Sequence, residues 1–136
     1  MALTFRLTLF AASLLVLSGC TFDYVVKDNF DKSTRSYATM LRWQEFEAAV
    51  AFVDGPLRDD YRKRIEASRG IRVLDLRVLS KDCDVEARKG DAVVELDYNI
   101  NPSTTVRTVT DLQKWRYYDE GEKKGWRLES LLPEFR

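Results

Sequence analysis

The chain has 136 residues, and its 22 basic side chains balance 22 acidic ones, so it carries no formal net charge. That balance excludes the strongly basic surface of a nucleic-acid-binding domain, and the interspersed signs exclude a single-sign interaction tail. The absence of histidine removes Ser-His-Asp, Cys-His and histidine general-base catalysis and the usual nitrogen ligand of zinc, so no metal and no cofactor is expected.

Residues 1–19 read as an export signal. Arg6 is the only charge ahead of the apolar run Leu7-Thr8-Leu9-Phe10-Ala11-Ala12-Ser13-Leu14-Leu15-Val16-Leu17. The run has the length of a signal-peptide core and falls short of the ~20 residues a spanning helix needs. It ends in Leu17-Ser18-Gly19-Cys20, which resembles the lipobox of bacterial lipoproteins: a branched aliphatic, two small residues, and the cysteine that receives diacylglycerol. The resemblance implies cleavage before Cys20, acylation of its thiol and of the new amino group, and a membrane partner reached through lipid. Each buried methylene contributes about 0.8 kcal/mol, so several chains anchor stably where one is marginal. An aspartate after the lipidated cysteine favours inner-membrane retention in enteric bacteria. Thr21 stands there instead, which implies the outer membrane, facing the periplasm. The alternatives are an uncleaved anchor or ordinary secretory cleavage.

Residues 20–136 suit one domain with one core. Once Cys20 is lipidated, Cys83 is the only other thiol, which rules out an intramolecular disulfide; Cys83 is expected to be shielded. Residues 20–32 are weakly patterned, with Asp23, Lys27, Asp28, Asp31 and Lys32 scattered among aromatics, and read as a lipidated tether that reaches at most ~40 Å when extended. The domain is then expected over residues 33–136. Residues 33–53 contain neither proline nor glycine. Trp43, Phe46, Val50 and Val53 form one stripe at helical steps, and Tyr37, Leu41, Ala48 and Phe52 form a second. The spacing predicts one helix covered on two sides. Asp54-Gly55-Pro56 breaks it and opens a second helix, since proline is tolerated at the first helical position. Leu57, Tyr61 and Ile65 mark its apolar stripe and Gly70 its end.

After Gly70 the period becomes two. Leu74, Leu76 and Val78 alternate with Val73, Asp75 and Arg77 in a strand expected to run on through Cys83 and Ala87. Arg88-Lys89-Gly90-Asp91 reads as a hairpin turn. In the second strand Val94, Leu96, Tyr98 and Ile100 alternate with Val93, Glu95, Asp97 and Asn99. A third strand is expected over residues 106–118, a charged loop over 119–125 and a fourth strand over 126–132. Lys114 and Arg116 are expected across from Glu95 and Asp97 on the outer face.

Two N-terminal helices followed by four consecutive strands predict an α+β domain, with the helices packed on one curved four-stranded antiparallel sheet. This order resembles the NTF2-like, or cystatin-like, fold. Residues 37–49 are similar to the first helix of small NTF2-like proteins, and Val109-Thr110-Asp111-Leu112-Gln113-Lys114-Trp115 with Trp126-Arg127-Leu128 looks like their last hairpin. The fold hosts isomerases, dehydratases, carriers and inert scaffolds, so it assigns no function by itself. If Trp115 and Tyr117 face the helices, Asp111 and Gln113 share that face. The candidate pocket is therefore Asp111 and Gln113, walled by Tyr98, Trp43 and Trp115. The sequence points to a non-catalytic accessory or binding module of the cell envelope, with an envelope protein or a small apolar ligand as partner. The alternative is a small-molecule binder or ketosteroid-isomerase-like enzyme with Asp111 as general base and Tyr98 or Tyr117 as proton donor.

Overall fold

A computed structural model describes the backbone of residues 2–136 and the side chains from Cys20 onward. The side chains of residues 1–19, the expected export signal with Leu17, Ser18 and Gly19 of the lipobox-like motif, lie outside the described residues. Helix α1 runs Ala2–Arg42, followed by a short α2 (Phe46–Ala49), a 3-10 turn (Val50–Phe52), a second 3-10 turn (Gly55–Leu57) and α3 (Arg58–Ala67). Four strands follow, β1 (Ile71–Asp84), β2 (Lys89–Ile100), β3 (Arg107–Tyr118) and β4 (Gly125–Leu128), in one antiparallel sheet of order β1-β2-β3-β4. The architecture is α+β, with the helices on one face of the sheet.

The largest departure from the expected layout is at residues 20–32. They are helical and docked, where the sequence read as a tether whose aromatics could dock on the domain or the bilayer. Val26 and Phe30 are fully buried. The Trp126 indole N–H donates to the Val26 carbonyl at 2.9 Å. The Phe30 ring lies 4.8 Å from that of Trp126 and 6.5 Å, edge-on, from that of Trp115. Phe30 also explains Gly90. A Cβ on Gly90 would stand 2.4 Å from the Phe30 ring, so only glycine lets the helix approach this closely. Gly90 is thus a strand residue under a helix. The reversal between β1 and β2 falls earlier, at residues 85–88, with Arg88 at φ 54°.

Helix α1 also stops sooner than its two stripes suggest. Tyr37 and Leu41 must reach the same core as Phe46, Val50 and Val53, and one straight helix cannot turn both stripes toward it. The chain bends at Gln44, which takes φ 59°. Gln44 N–H donates to the Leu41 carbonyl and Glu45 N–H to the Met40 carbonyl, the paired bonds of a Schellman ending. Glycine usually fills that left-handed position. Here the Gln44 side chain offsets the strain by donating to the Ile71 carbonyl and accepting from the Val73 N–H, both at 2.9 Å, which satisfies the free edge of β1. After the bend Phe46, Ala49, Val50 and Val53 are buried, whereas Trp43 and Ala48 are exposed. At the opposite edge Val53 bridges to Leu128, with Asp54 N–H donating to the Leu128 carbonyl at 2.9 Å.

Strand β1 carries two bulges, because Leu74 and Leu79 are extra residues against β2. Each shifts the alternation by one. Ile71 and Val73, then Leu76 and Val78, then Lys81 and Cys83 therefore share the helix-facing side, opposite Ile100, Tyr98, Leu96, Val94, Ala92 and Gly90. Cys83 is half-buried there, and burial raises its thiol pKa. On the outer face the expected charge pairs are rearranged. Lys114 pairs with Asp91 at 2.7 Å, and Arg116 reaches Glu129. Glu95 and Asp97 are instead taken by Arg77 of β1, at 3.1 and 2.7 Å, which holds the Asp97 carboxyl down to about 2. The register sets this: Glu95 and Asp97 face Arg77 and Asp75 across β1–β2, and Thr110 and Thr108 across β2–β3.

Candidate functional site

Strand β3 alternates cleanly, with Asp111, Gln113, Trp115 and Tyr117 buried and Leu112, Lys114 and Arg116 exposed. Asp111 and Gln113 thus lie on the helix-facing side, next to Val94 and Ala92 of β2. Buried polar groups need partners, and these form a short chain. The Trp115 indole N–H donates to Gln113 Oε1 at 3.2 Å, and Gln113 Nε2 donates to Asp111 Oδ2 at 2.8 Å. Burial raises the Asp111 pKa from its ordinary 3.8 to about 6, against the opposing effect of the Gln113 bond. The Tyr37 and Tyr61 hydroxyls share a hydrogen bond at 2.8 Å in the same interior. Both phenols are raised above their ordinary range, chiefly by burial, with the Asp111 charge adding to it.

The other three pocket residues are dispersed. Trp115 is fully buried and packs edge-on against Tyr37 at 5.5 Å and Phe52 at 6.2 Å, as core. Tyr98 belongs to a closed region. Its hydroxyl donates to the Arg136 carbonyl at 2.7 Å and accepts from the Arg136 N–H at 2.8 Å. Phe135 fills the space between Tyr98, 4.9 Å away, and Phe46, 6.3 Å away. The C-terminal segment is fixed there by Leu132, which is fully buried and whose carbonyl accepts from Arg64. Trp43 alone, with 68% of its surface exposed, stands at an opening.

That opening is a groove of about 370 Å³ between α1 and the β1–β2 half of the sheet. Thr34, Arg35, Ala38, Thr39, Arg42 and Trp43 form its helical wall, and Leu76, Val78, Lys81, Ala92, Val94 and Gln113 its floor. Gln113 and Trp43 are the members of the expected pocket that reach it. Asp111 is not part of the lining; its carboxylate accepts from the Gln113 amide, which is. The sequence carried a sign of the helical wall, since Arg35, Ala38 and Arg42 recur at steps of three and four beside the core stripe. Leu76 and Val78 of the floor share a side in the expected alternation, whereas the bulge at Leu79, which brings Lys81 to that side, has no local sign. Among the described residues no cluster of carboxylates and thiols has the make-up of a metal site, and no helix is long and apolar enough to cross a membrane. Cys20, on the first described turn of side chains, is exposed. In comparison with known proteins, no family model matches the chain and no curated protein matches it significantly.

Proposed function

We propose that the protein is a lipid-anchored module of the bacterial envelope, held at Cys20 on the periplasm-facing leaflet of the outer membrane, and that it binds without catalysing a reaction. The observation that carries this reading is the lipobox-like run Leu17-Ser18-Gly19-Cys20, ending on an exposed thiol. The docked helix supports it. Cys20 and Val26 are six residues apart on α1, about 9 Å at the helical rise, so the domain sits directly against the leaflet. The groove residues 34–42 lie on the same helix about 21–33 Å along it from Cys20, open to a periplasmic ligand or an envelope protein. The resemblance to NTF2-like proteins is compatible with a binding role.

Metabolic labelling with an alkyne-tagged palmitate tests the anchor. The wild-type chain should incorporate label and fractionate with membranes, while Cys20→Ala should stay unlabelled and keep its precursor size. Equal labelling or normal maturation of that variant contradicts the anchor.

A second reading rests on Asp111, whose raised pKa of about 6 is that of a carboxylate poised to accept a proton near neutral pH. On this reading the groove admits an enolisable ketone and Asp111 is the base, which requires the Gln113 amide that now stands between them to turn aside. Isomerisation of a β,γ-unsaturated ketone by the wild-type chain, lost in Asp111→Asn, supports it; an inactive wild-type chain removes it.

A further inference from the structure

We infer that the groove between α1 and the β1–β2 half of the sheet binds a small single-chain amphiphile with an anionic head, the chemistry of a medium-chain carboxylate. The inference rests on the binding-module part of the reading above and is independent of the lipid anchor.

The groove has two chemistries in the required order. Its floor is apolar, with Leu76, Val78, Ala92 and Val94 side by side, and Trp43 and Ala38 extend it up the helix. Val78 leaves 47% of its surface open and Trp43 leaves 68%, so an apolar chain laid between them covers surface that water now wets. The charged residues of the lining are Arg35, Arg42 and Lys81, all cations, and no carboxylate lines it. Lys81 is held by Asp31 at 2.7 Å. Arg35 and Arg42 form no ion pair among the described residues; Arg42 lies over the Trp43 ring at 5.2 Å. Elsewhere on the surface Lys32, Lys63, Arg69, Arg88 and Lys114 each have a carboxylate within 3 Å, so what sets the groove apart is that its cations flank an apolar floor with no carboxylate in the lining. Two guanidinium groups without counter-ions, seven residues and about 10 Å apart along one helix, offer forked donors to a carboxylate head.

Gln113 adds a polar point in the floor. It is fully buried, yet it lines the groove. Its amide has two N–H donors, and one is used on Asp111. The second has no partner among the described residues and is available to a ligand oxygen. The volume of about 370 Å³ lies in the ~300–1,000 Å³ range of small-molecule sites. An added peptide strand is disfavoured at this edge, because the bulges at Leu74 and Leu79 interrupt the ladder such a strand would extend.

The test uses the full chain in phosphatidylcholine nanodiscs with two probes, a dodecanoate carrying a photoreactive diazirine near its tail and the matching dodecanol. The carboxylate should label peptides containing Leu76, Val78 or Val94 at least tenfold more than the alcohol does. Arg35→Glu combined with Arg42→Glu should reduce that labelling at least tenfold, as should Val78→Glu, whose partly open position tolerates a charge. Equal labelling by acid and alcohol, labelling confined to Phe22, Tyr24 and Val25, or indifference to both variants overturns the inference. So does a protein adduct formed through a photoreactive residue placed at Val78 in cells, which would assign the groove to a polypeptide partner. None of these outcomes bears on palmitate incorporation at Cys20, so failure here and failure of the anchor are separate results.

Discussion

At one end of the sheet's helix-facing side, Tyr98 is sealed under the chain terminus, with its hydroxyl bonded both ways to the Arg136 backbone and Phe135 packed on its ring. Six residues away on the same strand, Ala92 lies in the floor of an open groove beside Val94, Val78 and Gln113. Both ends present apolar surface toward the helices, yet only one has been covered by the protein's own chain. Covering exposed apolar surface stabilises a fold, and the chain does so at Tyr98. The uncovered end carries two arginines, Arg35 and Arg42, and no carboxylate in its lining. On the proposed reading the sealed end serves stability and the open end binding.

The largest effect that sharpens this contrast is expected at Phe30, which joins α1 to the sheet under Gly90. Phe30→Ala should cost roughly 3–5 kcal/mol in denaturant unfolding, the range for a fully buried phenylalanine. A cost near zero would return residues 20–32 to the status of a tether.

Asp111 comes next. Its folded pKa of about 6 exceeds the ordinary 3.8, so the folded state holds the proton more tightly than the unfolded chain does. Its contribution to stability is then greatest below pH 3.8, declines as the pH rises from about 3.8 to 6, and is flat above that. The loss amounts to roughly 3 kcal/mol at neutral pH. Asp111→Asn should recover about 1–3 kcal/mol at pH 7 and flatten the decline between pH 4 and 6. An unchanged pH profile in urea titrations would show that Asp111 is not buried as described.

Gln44→Ala should cost about 1–3 kcal/mol, because it leaves the Ile71 carbonyl and Val73 N–H of the β1 edge without their partner while keeping a side chain at positive φ. Gln44→Gly should cost less, since glycine relieves the backbone. The reverse order in thermal melts would remove the side chain's role at the edge. The smallest effect belongs to the open end: Arg35→Gln with Arg42→Gln should stay within about 0.5 kcal/mol of wild type in stability. A large destabilisation would make these arginines structural.

Much of this arrangement is legible in the sequence, and the exceptions have physical causes. The buried and exposed sides of β3 follow from strict alternation over residues 110–117, which placed Asp111 and Gln113 on the correct face. The turn at Asp54-Gly55-Pro56 carries its own chemistry, with the Asp54 carboxylate accepting from the Gly55 N–H at 3.0 Å. The helix end at Gln44 carries no such sign, because a glutamine occupies the position where glycine is expected and its compensating bonds are to strand residues 27 and 29 positions later. The β1 bulges are likewise silent, since leucine fits either face. The docking of residues 20–32 depends on Gly90, Trp115 and Trp126, all distant in the chain, and Gly90 imitates a turn residue when read locally. The groove owes part of its make-up to these hidden features: the bulge at Leu79 brings Lys81 to the side of Val78, and the early helix end leaves Trp43 outside.

The most direct measurement of the contrast between the two ends is methyl NMR of the full chain in nanodiscs, with labelled alanines and added dodecanoate. Ala38 and Ala92 line the groove, whereas Ala49 is buried in the core away from it. The account predicts saturable shifts at Ala38 and Ala92, absent with dodecanol, and a stationary Ala49. Stationary Ala38 and Ala92 signals, or shifts that fall on Ala49 instead, would contradict it.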